Sequence, residues 1–238
     1  MRKIESTLPA NIQSEVDSRL AEIAKLLATL APEIQGINRQ RYARSLMCLE
    51  ELVEALTFAH YLKTQTLISD ADLNPVVEDL ARQGAAPEDA VMADAGDDAA
   101  AAAAAASTEK PALPPTTPTV SLTRDDYLYG VFDLTGEMMR FATTSTALTG
   151  AMASGHAGDG EDEPRTIVQD MHELGSFFEM LPVGPGSRFQ WDKKLEVTRQ
   201  SVQKVERLGY DRTIRGSERP KGWIPDLSSG DGPGEELE

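Results

Sequence analysis

Apolar side chains recur along the chain at steps of three and four residues, which is the period of an amphipathic α-helix. The pattern first covers residues 11–31 and predicts a helix that ends at Pro32. It returns over about 38–68, and Ser69 then has the character of a cap that opens a short helix to about residue 83. This part of the chain is therefore predicted to be helical.

Three more helices are predicted further along. Capping residues at 123–126 open one that reaches about residue 147, another spans 166–180, and the last covers about 192–212. In the 166–180 helix the residues predicted to point inward are Val168, Met171, Leu174, Phe177 and Phe178. No strand-like alternation and no internal repeat competes with these patterns. We therefore predict an all-α bundle of six to seven helices.

Two internal segments have a composition that cannot bury apolar surface. Residues 84–119 combine acids, a run of alanines at 99–106 and several prolines, and residues 150–164 are rich in glycine and acids. We expect a single domain over 1–226, interrupted by flexible inserts at 84–119 and 150–164, and a disordered acidic tail at 227–238.

The net charge of −16 over 238 residues at first disfavours nucleic acid as a partner. The acids are concentrated, however, and fifteen of them lie in 84–109, 156–163 and 226–238, where there is no Lys or Arg. The rest of the chain is almost neutral, and residues 192–221 hold nine Lys or Arg against five acids. An anionic ligand is therefore not excluded.

The single cysteine, Cys48, cannot form an internal disulfide and is predicted to be a small core residue of a protein in a reducing compartment. No apolar run reaches the roughly 18 residues of a membrane-spanning helix, and the N-terminus lacks the apolar stretch of a signal peptide. We expect a soluble, cytoplasmic protein with no membrane partner.

Carboxylates interrupt two helices that otherwise have the composition of a buried core. Glu51 and Glu54 lie within about 60° of each other on a helix that is apolar nearly all round. Their side chains are therefore expected to point into protein or into an enclosed cavity, and Glu50 is expected to face solvent. On the later helix, Asp133 and Glu137 are four residues apart. Unpaired carboxylates in such places require a counter-charge.

The side of the later helix that carries these acids also holds Gly130, Gly136 and Arg140. The glycines leave room for a group to approach, and the arginine offers a positive charge.

Two interpretations of the acids remain open. In one, Arg140 neutralises Asp133 and Glu137, and basic side chains of a neighbouring helix bind Glu51 and Glu54; structural ion pairs of this kind outnumber active sites. In the other, Glu51, Glu54 and Asp133 are ligands of Mg²⁺, with Mn²⁺ as an alternative ion. Glu137 would then hold a water or act as a base in the hydrolysis of a phosphodiester.

Basic residues of the last helix also allow two interpretations. They either form its solvated face or contact phosphates, and they are Lys193, Lys194, Arg199, Lys204 and Arg207. The three histidines have no mutual spacing typical of a catalytic triad or a zinc site.

Four segments of the chain, in order, resemble the translin family. Residues 126–140 (DYLYGVFDLTGEMMR) are similar to its central signature, and 54–64 (EALTFAHYLKT) and 193–206 (beginning KKL and ending QSVQKVE) agree with it. The string RGSERPK at 215–221 resembles the branch of translin-associated factor X (TRAX). The resemblance covers roughly 16–226 apart from the two inserts.

This resemblance implies a seven-helix subunit that joins translin in a hetero-oligomer, commonly an octamer around an RNA-binding cavity. It implies Mg²⁺-dependent endoribonuclease activity on single-stranded RNA, including silencing passenger strands and precursor-tRNA fragments, in the cytoplasm with the nucleus as a second location. The family's catalytic acids match Glu51, Glu54 and Asp133, with Glu137 as the fourth. The expected RNA contacts are Arg140, Lys193, Lys194, Arg199 and Lys204.

The chain departs from the family pattern at its start. The long basic helix that usually precedes the segment matching 11–31 is expected to be missing, through truncation or a divergent start.

Two other functions are considered. The alternative function is a non-catalytic RNA-binding or scaffold subunit whose acids bind arginines in the assembly interface. A plain helical interaction module without any RNA role is the third.

Overall fold

The structure, a computed structural model, describes residues 10–86, 118–153, 165–182 and 188–215. Within these ranges the chain forms seven α-helices, one short 3-10 helix and no β-strand, so the all-α prediction is confirmed. Most of the two predicted inserts and the whole predicted tail lie outside the described residues. The prediction of one domain over 1–226 stays a prediction.

The helices are, in chain order, α1 (Ala10–Leu30), α2 (Ile37–Arg41), α3 (Cys48–Thr64), α4 (Asp70–Ala85), α5 (Arg124–Thr149), α6 (Ile167–Met180) and α7 (Arg188–Arg215). The 3-10 helix, Ala43–Met47, lies between α2 and α3. The Ser69 side chain accepts a hydrogen bond from the Asp72 backbone N–H, as its predicted capping role requires. Thr166 and Gln169 form a capping box at the start of α6.

The single helix predicted over about 38–68 is wrong. The chain forms α2, the 3-10 helix and α3 there, and α3 ends where Gln65 adopts a positive φ of 57° and donates its backbone N–H to the Tyr61 carbonyl at 2.7 Å. A left-handed residue of this kind is a common helix end, but glycine usually supplies it. The sequence carries no such signal, and a three-residue step is shared by 3-10 and α-helices.

Contacts divide the described chain into two compact units. The first unit contains α1, α2, α4 and residues 118–124, and α1 packs on α4. Its core is aliphatic and includes Leu27 of α1 with Leu73 and Val77 of α4. Asn74 of α4 accepts a hydrogen bond from the Leu122 backbone N–H at 2.9 Å. This bond holds the non-helical segment before α5 against the core of this unit.

The second unit contains α3, α5, α6 and α7, and its core is aromatic at one end. Phe132 of α5 stacks on Phe178 of α6 with ring centroids 3.8 Å apart, and it meets the edge of Trp191 of α7 at 4.9 Å. Because buried aromatic rings contribute large apolar areas, this trio fixes three helices against one another. The residue after Phe132 is Asp133, whose position is therefore set by the core.

Two predicted core residues are exposed. Phe177 is 48% exposed although its neighbour Phe178 is buried, because consecutive residues point about 100° apart on a helix and only one of them can face Phe132. Cys48 is also exposed, at the first residue of α3. Both predictions are corrected.

In the described ranges, every helix is too short or too polar to cross a membrane.

Candidate metal-binding site

Helices α3 and α5 approach closely at Gly130. A Cβ atom at this position would lie 2.6 Å from Val53 Cβ and 2.7 Å from the Glu50 backbone oxygen, so any larger residue would force the helices apart. Gly130 therefore leaves room for the close packing of α3, and not for a ligand. Gly136, by contrast, faces open space, since a Cβ there would have no neighbour within 4 Å.

The close approach brings acids of the two helices together. Glu51, Glu54 and Asp133 each present a carboxylate oxygen, and these three oxygens all lie within 4.8 Å of one another. They line a cleft of about 550 Å³ in the second unit. The remaining lining residues are Phe132, Gly136, Glu137, Arg140, Gln190, Lys193, Lys194 and Val197.

The cleft is open rather than enclosed. Glu51 is exposed, and Glu54 and Asp133 are half-buried. The expectation that both glutamates point into protein or an enclosed cavity is therefore wrong for Glu51. Helix α3 presents its Glu51 side to the open mouth of the cleft, while Leu49, Leu52 and Val53 face the interior.

Lys194 of α7 supplies a positive charge to the inner end of the cluster. Its Nζ lies 2.6 Å from Asp133 Oδ2 and 3.3 Å from Glu50 Oε2. Glu50 is buried, so the expectation that it faces solvent is wrong. Burial raises the pKa of the Glu50 carboxyl, and the Lys194 ammonium opposes that rise.

Glu137 and Arg140 form a pair at the outer side of the cleft. Arg140 NH1 lies 3.1 Å from Glu137 Oε1, but the Arg140 side chain is 73% exposed. An ion pair so accessible to water contributes little. One interpretation of the sequence paired Arg140 with both Asp133 and Glu137. Among the described residues Arg140 pairs with Glu137, whereas the ion-pair partner of Asp133 is Lys194.

The cluster has more negative than positive charge. Within the described part of the chain, neither Glu51 nor Glu54 has a basic side chain within 4 Å. Burial, followed by the charges of Glu51, Asp133 and Glu137, raises the pKa of Glu54 to about 7. Near neutral pH this carboxyl is poised between its two protonation states.

The basic residues predicted as RNA contacts divide into two groups. Arg140, Lys193 and Lys194 line the cleft, and Lys193 is exposed there. Arg199 and Lys204 do not line it: the Arg199 Nε donates to Glu179 of α6 at 2.8 Å, and Lys204 lies almost three turns beyond Lys194 on α7.

Sequence reasoning missed Glu50 and Gln190. Glu50 had no distinguishing signal, since one acid among three in a helix can be assigned to a face only when the packing of that helix is known. Gln190 lies before the start predicted for the last helix, which begins at Arg188.

The donor set fits a hard divalent cation. Carboxylate oxygens are the ligands that Mg²⁺ prefers, and three of them converge here from two helices. A cation near these oxygens would replace the repulsion that raises the pKa of Glu54 with attraction, and its binding would release a proton. Glu51, Glu54 and Asp133 are the residues that could hold it.

Comparisons with known proteins agree with the motifs in the sequence. The Translin family model matches residues 1–216. Two proteins named Translin-associated protein X, from Mus musculus and Rattus norvegicus, are each 30% identical over 220 and 224 residues, covering 92% of this chain and 66% of each relative. A Translin-associated protein X homolog of Schizosaccharomyces pombe is 25% identical over 199 residues, covering 83% of this chain and 64% of the relative.

This chain thus spans slightly less than two thirds of the length of these relatives. Because the family model covers nearly all of the chain, including the three acids on α3 and α5, the protein belongs to the translin family.

Proposed function

We propose that the chain is the catalytic subunit of a translin-type endoribonuclease, which cleaves single-stranded RNA by Mg²⁺-dependent phosphodiester hydrolysis. The observation that carries the proposal is the convergence of Glu51, Glu54 and Asp133, whose oxygens lie within 4.8 Å of one another in an open cleft. Similarity to proteins named Translin-associated protein X supports the same assignment.

The chemistry can be divided among the residues that line the cleft. Glu51, Glu54 and Asp133 would hold the cation, which when bound supplies a Lewis acid for the phosphodiester and its attacking water. Glu137, on the same face of α5 one turn after Asp133, is the candidate to accept the proton of that water. Arg140 and Lys193 can hold phosphates at the mouth of the cleft, where both are exposed.

The proposed partner is translin, in a hetero-oligomer of the octameric kind, and the proposed substrates are silencing passenger strands and precursor-tRNA fragments. The proposed location is the cytoplasm, with the nucleus as a second location. The open mouth of the cleft is consistent with a substrate that is a flexible single strand, since a single strand can be bent into a site on a concave surface.

The test is a cleavage assay on a labelled single-stranded RNA, with the full chain alone and in complex with translin, in Mg²⁺ and in chelator. We expect cleavage in Mg²⁺ only, and its loss in Glu51→Gln. Glu33→Gln is the matched control, because it makes the same chemical change at an exposed position in the first unit. Intact RNA with an assembled complex in Mg²⁺ would overturn the proposal.

A second candidate function is a non-catalytic RNA-binding or scaffold subunit of a translin complex. One observation favours it: Lys194, which is largely shielded from water, already contacts Asp133 at 2.6 Å. For this candidate Mg²⁺ has no role. The complex would therefore bind RNA equally well in Mg²⁺ and in chelator, and Glu51→Gln would not change how the complex responds to the cation.

A further inference from the structure

The ammonium group of Lys194 is held from several sides. Besides Asp133 and Glu50, it donates to the Tyr129 carbonyl at 3.4 Å and lies 5.4 Å from the centre of the Tyr129 ring. The side chain is only 18% exposed, and that of Glu50 is 12% exposed. Lys194 therefore connects α7 to both α3 and α5 through charged contacts that are shielded from water.

The two carboxylates that bind Lys194 differ in their access to the cleft. Asp133 lines the cleft and belongs to the three acids that could hold a cation, whereas Glu50 does not line it. The ammonium thus lies between an inner acid and an outer acid. It contacts Oδ2 of a carboxylate that also belongs to the candidate cation site.

A divalent cation and an ammonium repel each other, so a cation bound to Asp133 would weaken the contact of the same carboxylate with Lys194. Glu50 would still hold the ammonium, because its oxygen lies 3.3 Å away on the other side.

We propose that Lys194 is a built-in competitor for the divalent cation at Asp133, and that Glu50 is a positioning residue that retains Lys194 when the cation displaces it. This inference rests on the proposed function only in assuming that a divalent cation binds the three acids. It explains why a buried carboxylate outside the cleft faces the site. It also gives the displaced ammonium a role, since it stays beside the cleft, where it can contact a phosphate of the substrate.

The test is the affinity of the full chain for Mg²⁺, measured by titration calorimetry in the absence of RNA. Lys194→Met removes the competitor and should tighten Mg²⁺ binding by about tenfold. A charge at this range shifts the pKa of a neighbouring group by about one to three units, and tenfold corresponds to the lower end of that range. Glu50→Gln leaves Asp133 as the only carboxylate partner of Lys194 and should weaken binding. The two single variants are thus expected to act in opposite directions.

Lys193→Met is the matched control. It removes the same charge from the preceding residue, which lines the same cleft. Among the described residues, Lys193 contacts no carboxylate within 4 Å. We expect a change of less than about threefold, since an exposed charge is screened by solvent. Equal effects of Lys193→Met and Lys194→Met would overturn the inference, because they would indicate only a general effect of charge.

The double variant Glu50→Gln/Lys194→Met addresses folding, because Lys194→Met alone leaves Glu50 buried without its partner. The double variant no longer buries the Glu50 charge without its partner, and it should bind Mg²⁺ at least as tightly as the native chain. Damage to the fold would weaken binding in both Lys194 variants, so tighter binding is a result that a purely structural role does not produce. Thermal melting by circular dichroism checks that each variant is folded.

Two failures can be told apart. If the native chain binds Mg²⁺ but the Lys194 variants bind it equally or more weakly, the competition is wrong and the proposed function is unaffected. If the native chain and all variants fail to bind Mg²⁺ or Mn²⁺, both the competition and the metal-dependent function are overturned.

Discussion

Two clusters of acids in the second unit differ in how their charge is balanced. At the start of α6, Asp170 is buried and fully engaged: the Tyr61 hydroxyl donates to it at 2.6 Å, and the Arg165 guanidinium binds both Asp170 and Glu173. Burial, together with the hydrogen bond to Asp170, raises the pKa of Tyr61, so this hydroxyl keeps its proton and remains a donor.

The cleft between α3 and α5 is different. One ammonium, that of Lys194, is shared by two carboxylates, and Glu51 and Glu54 contact no basic side chain among the described residues. The imbalance raises the pKa of Glu54 to about 7. The comparison teaches that burial of a carboxylate alone does not indicate a site. A cluster that is short of positive charge and open to solvent can accept a ligand, whereas the Asp170 cluster is already satisfied.

The largest expected effect is on catalysis. Asp133→Asn removes a proposed cation ligand and should lower RNA cleavage by at least about a hundredfold, since even residues that only support metal ligands contribute 10- to 100-fold. The measurement is the initial rate of cleavage in Mg²⁺. Asp125→Asn, an exposed change on the same helix, should leave the rate near that of the native chain. Undiminished cleavage by Asp133→Asn would contradict the view that the acids of the cleft, unlike those around Asp170, form a functional site.

Asp170→Ala should affect stability rather than metal binding. It leaves the buried Tyr61 hydroxyl without its acceptor and should reduce the free energy of unfolding by about 2–3 kcal/mol. Denaturant unfolding measures the loss, and calorimetry with Mg²⁺ should show unchanged affinity. Glu173→Gln is the control, because the Glu173 side chain is 70% exposed and its pair with Arg165 contributes little. A loss of Mg²⁺ affinity in Asp170→Ala would contradict the comparison.

The affinity for Mg²⁺ should depend on pH through Glu54. Since the cation competes with the proton on a carboxyl whose pKa is raised to about 7, binding should strengthen as pH rises to that value and then level off. Between pH 6 and pH 8 the affinity should increase by about tenfold, the change in the ionised fraction for such a group. Calorimetry at several pH values tests this, and a flat profile would show that Glu54 does not bind the cation.

The smallest expected effect is the stability of Glu54→Gln in chelator. A carboxyl whose pKa is raised on folding favours the folded state only while it is protonated: its contribution is complete below pH 4.5 and is lost as pH rises through about 7. The variant should therefore match the native chain at pH 4.5 and melt about 2–4 °C higher at pH 8, equivalent to roughly 1 kcal/mol for a chain of this size. This is about a third of what the full shift would give, because solvent screens the half-buried carboxyl. A higher melting temperature at both pH values would point to packing instead.

Local features of the fold could be read from the sequence, since helix periodicity and capping depend on neighbouring residues. Ser69 marked the start of α4 correctly, the helix predicted from residue 166 is α6, and the all-α class followed. The end of α3 could not be predicted, because Gln65 adopts a left-handed conformation without being a glycine. The exposure of Phe177 likewise depends on which of two adjacent rings meets α5.

The spacing within each acidic pair was also local information. Glu51 with Glu54, and Asp133 with Glu137, lie three and four residues apart, so each pair had to share one side of its helix. The partners of these acids depended on contacts between distant helices. Lys194 reaches Asp133 across 61 positions of sequence, and Glu50 faces the same ammonium rather than solvent.

The sequence by itself therefore determined which helices carry the acids and which acids are neighbours on each helix. Only the tertiary structure decided that α3 and α5 meet at Gly130, that the cleft between the acids is open, and that Lys194 serves both Asp133 and Glu50. The physical reason is that helix periodicity is fixed by backbone hydrogen bonds over four residues, whereas the facing of one helix toward another is fixed by side-chain packing at their crossing.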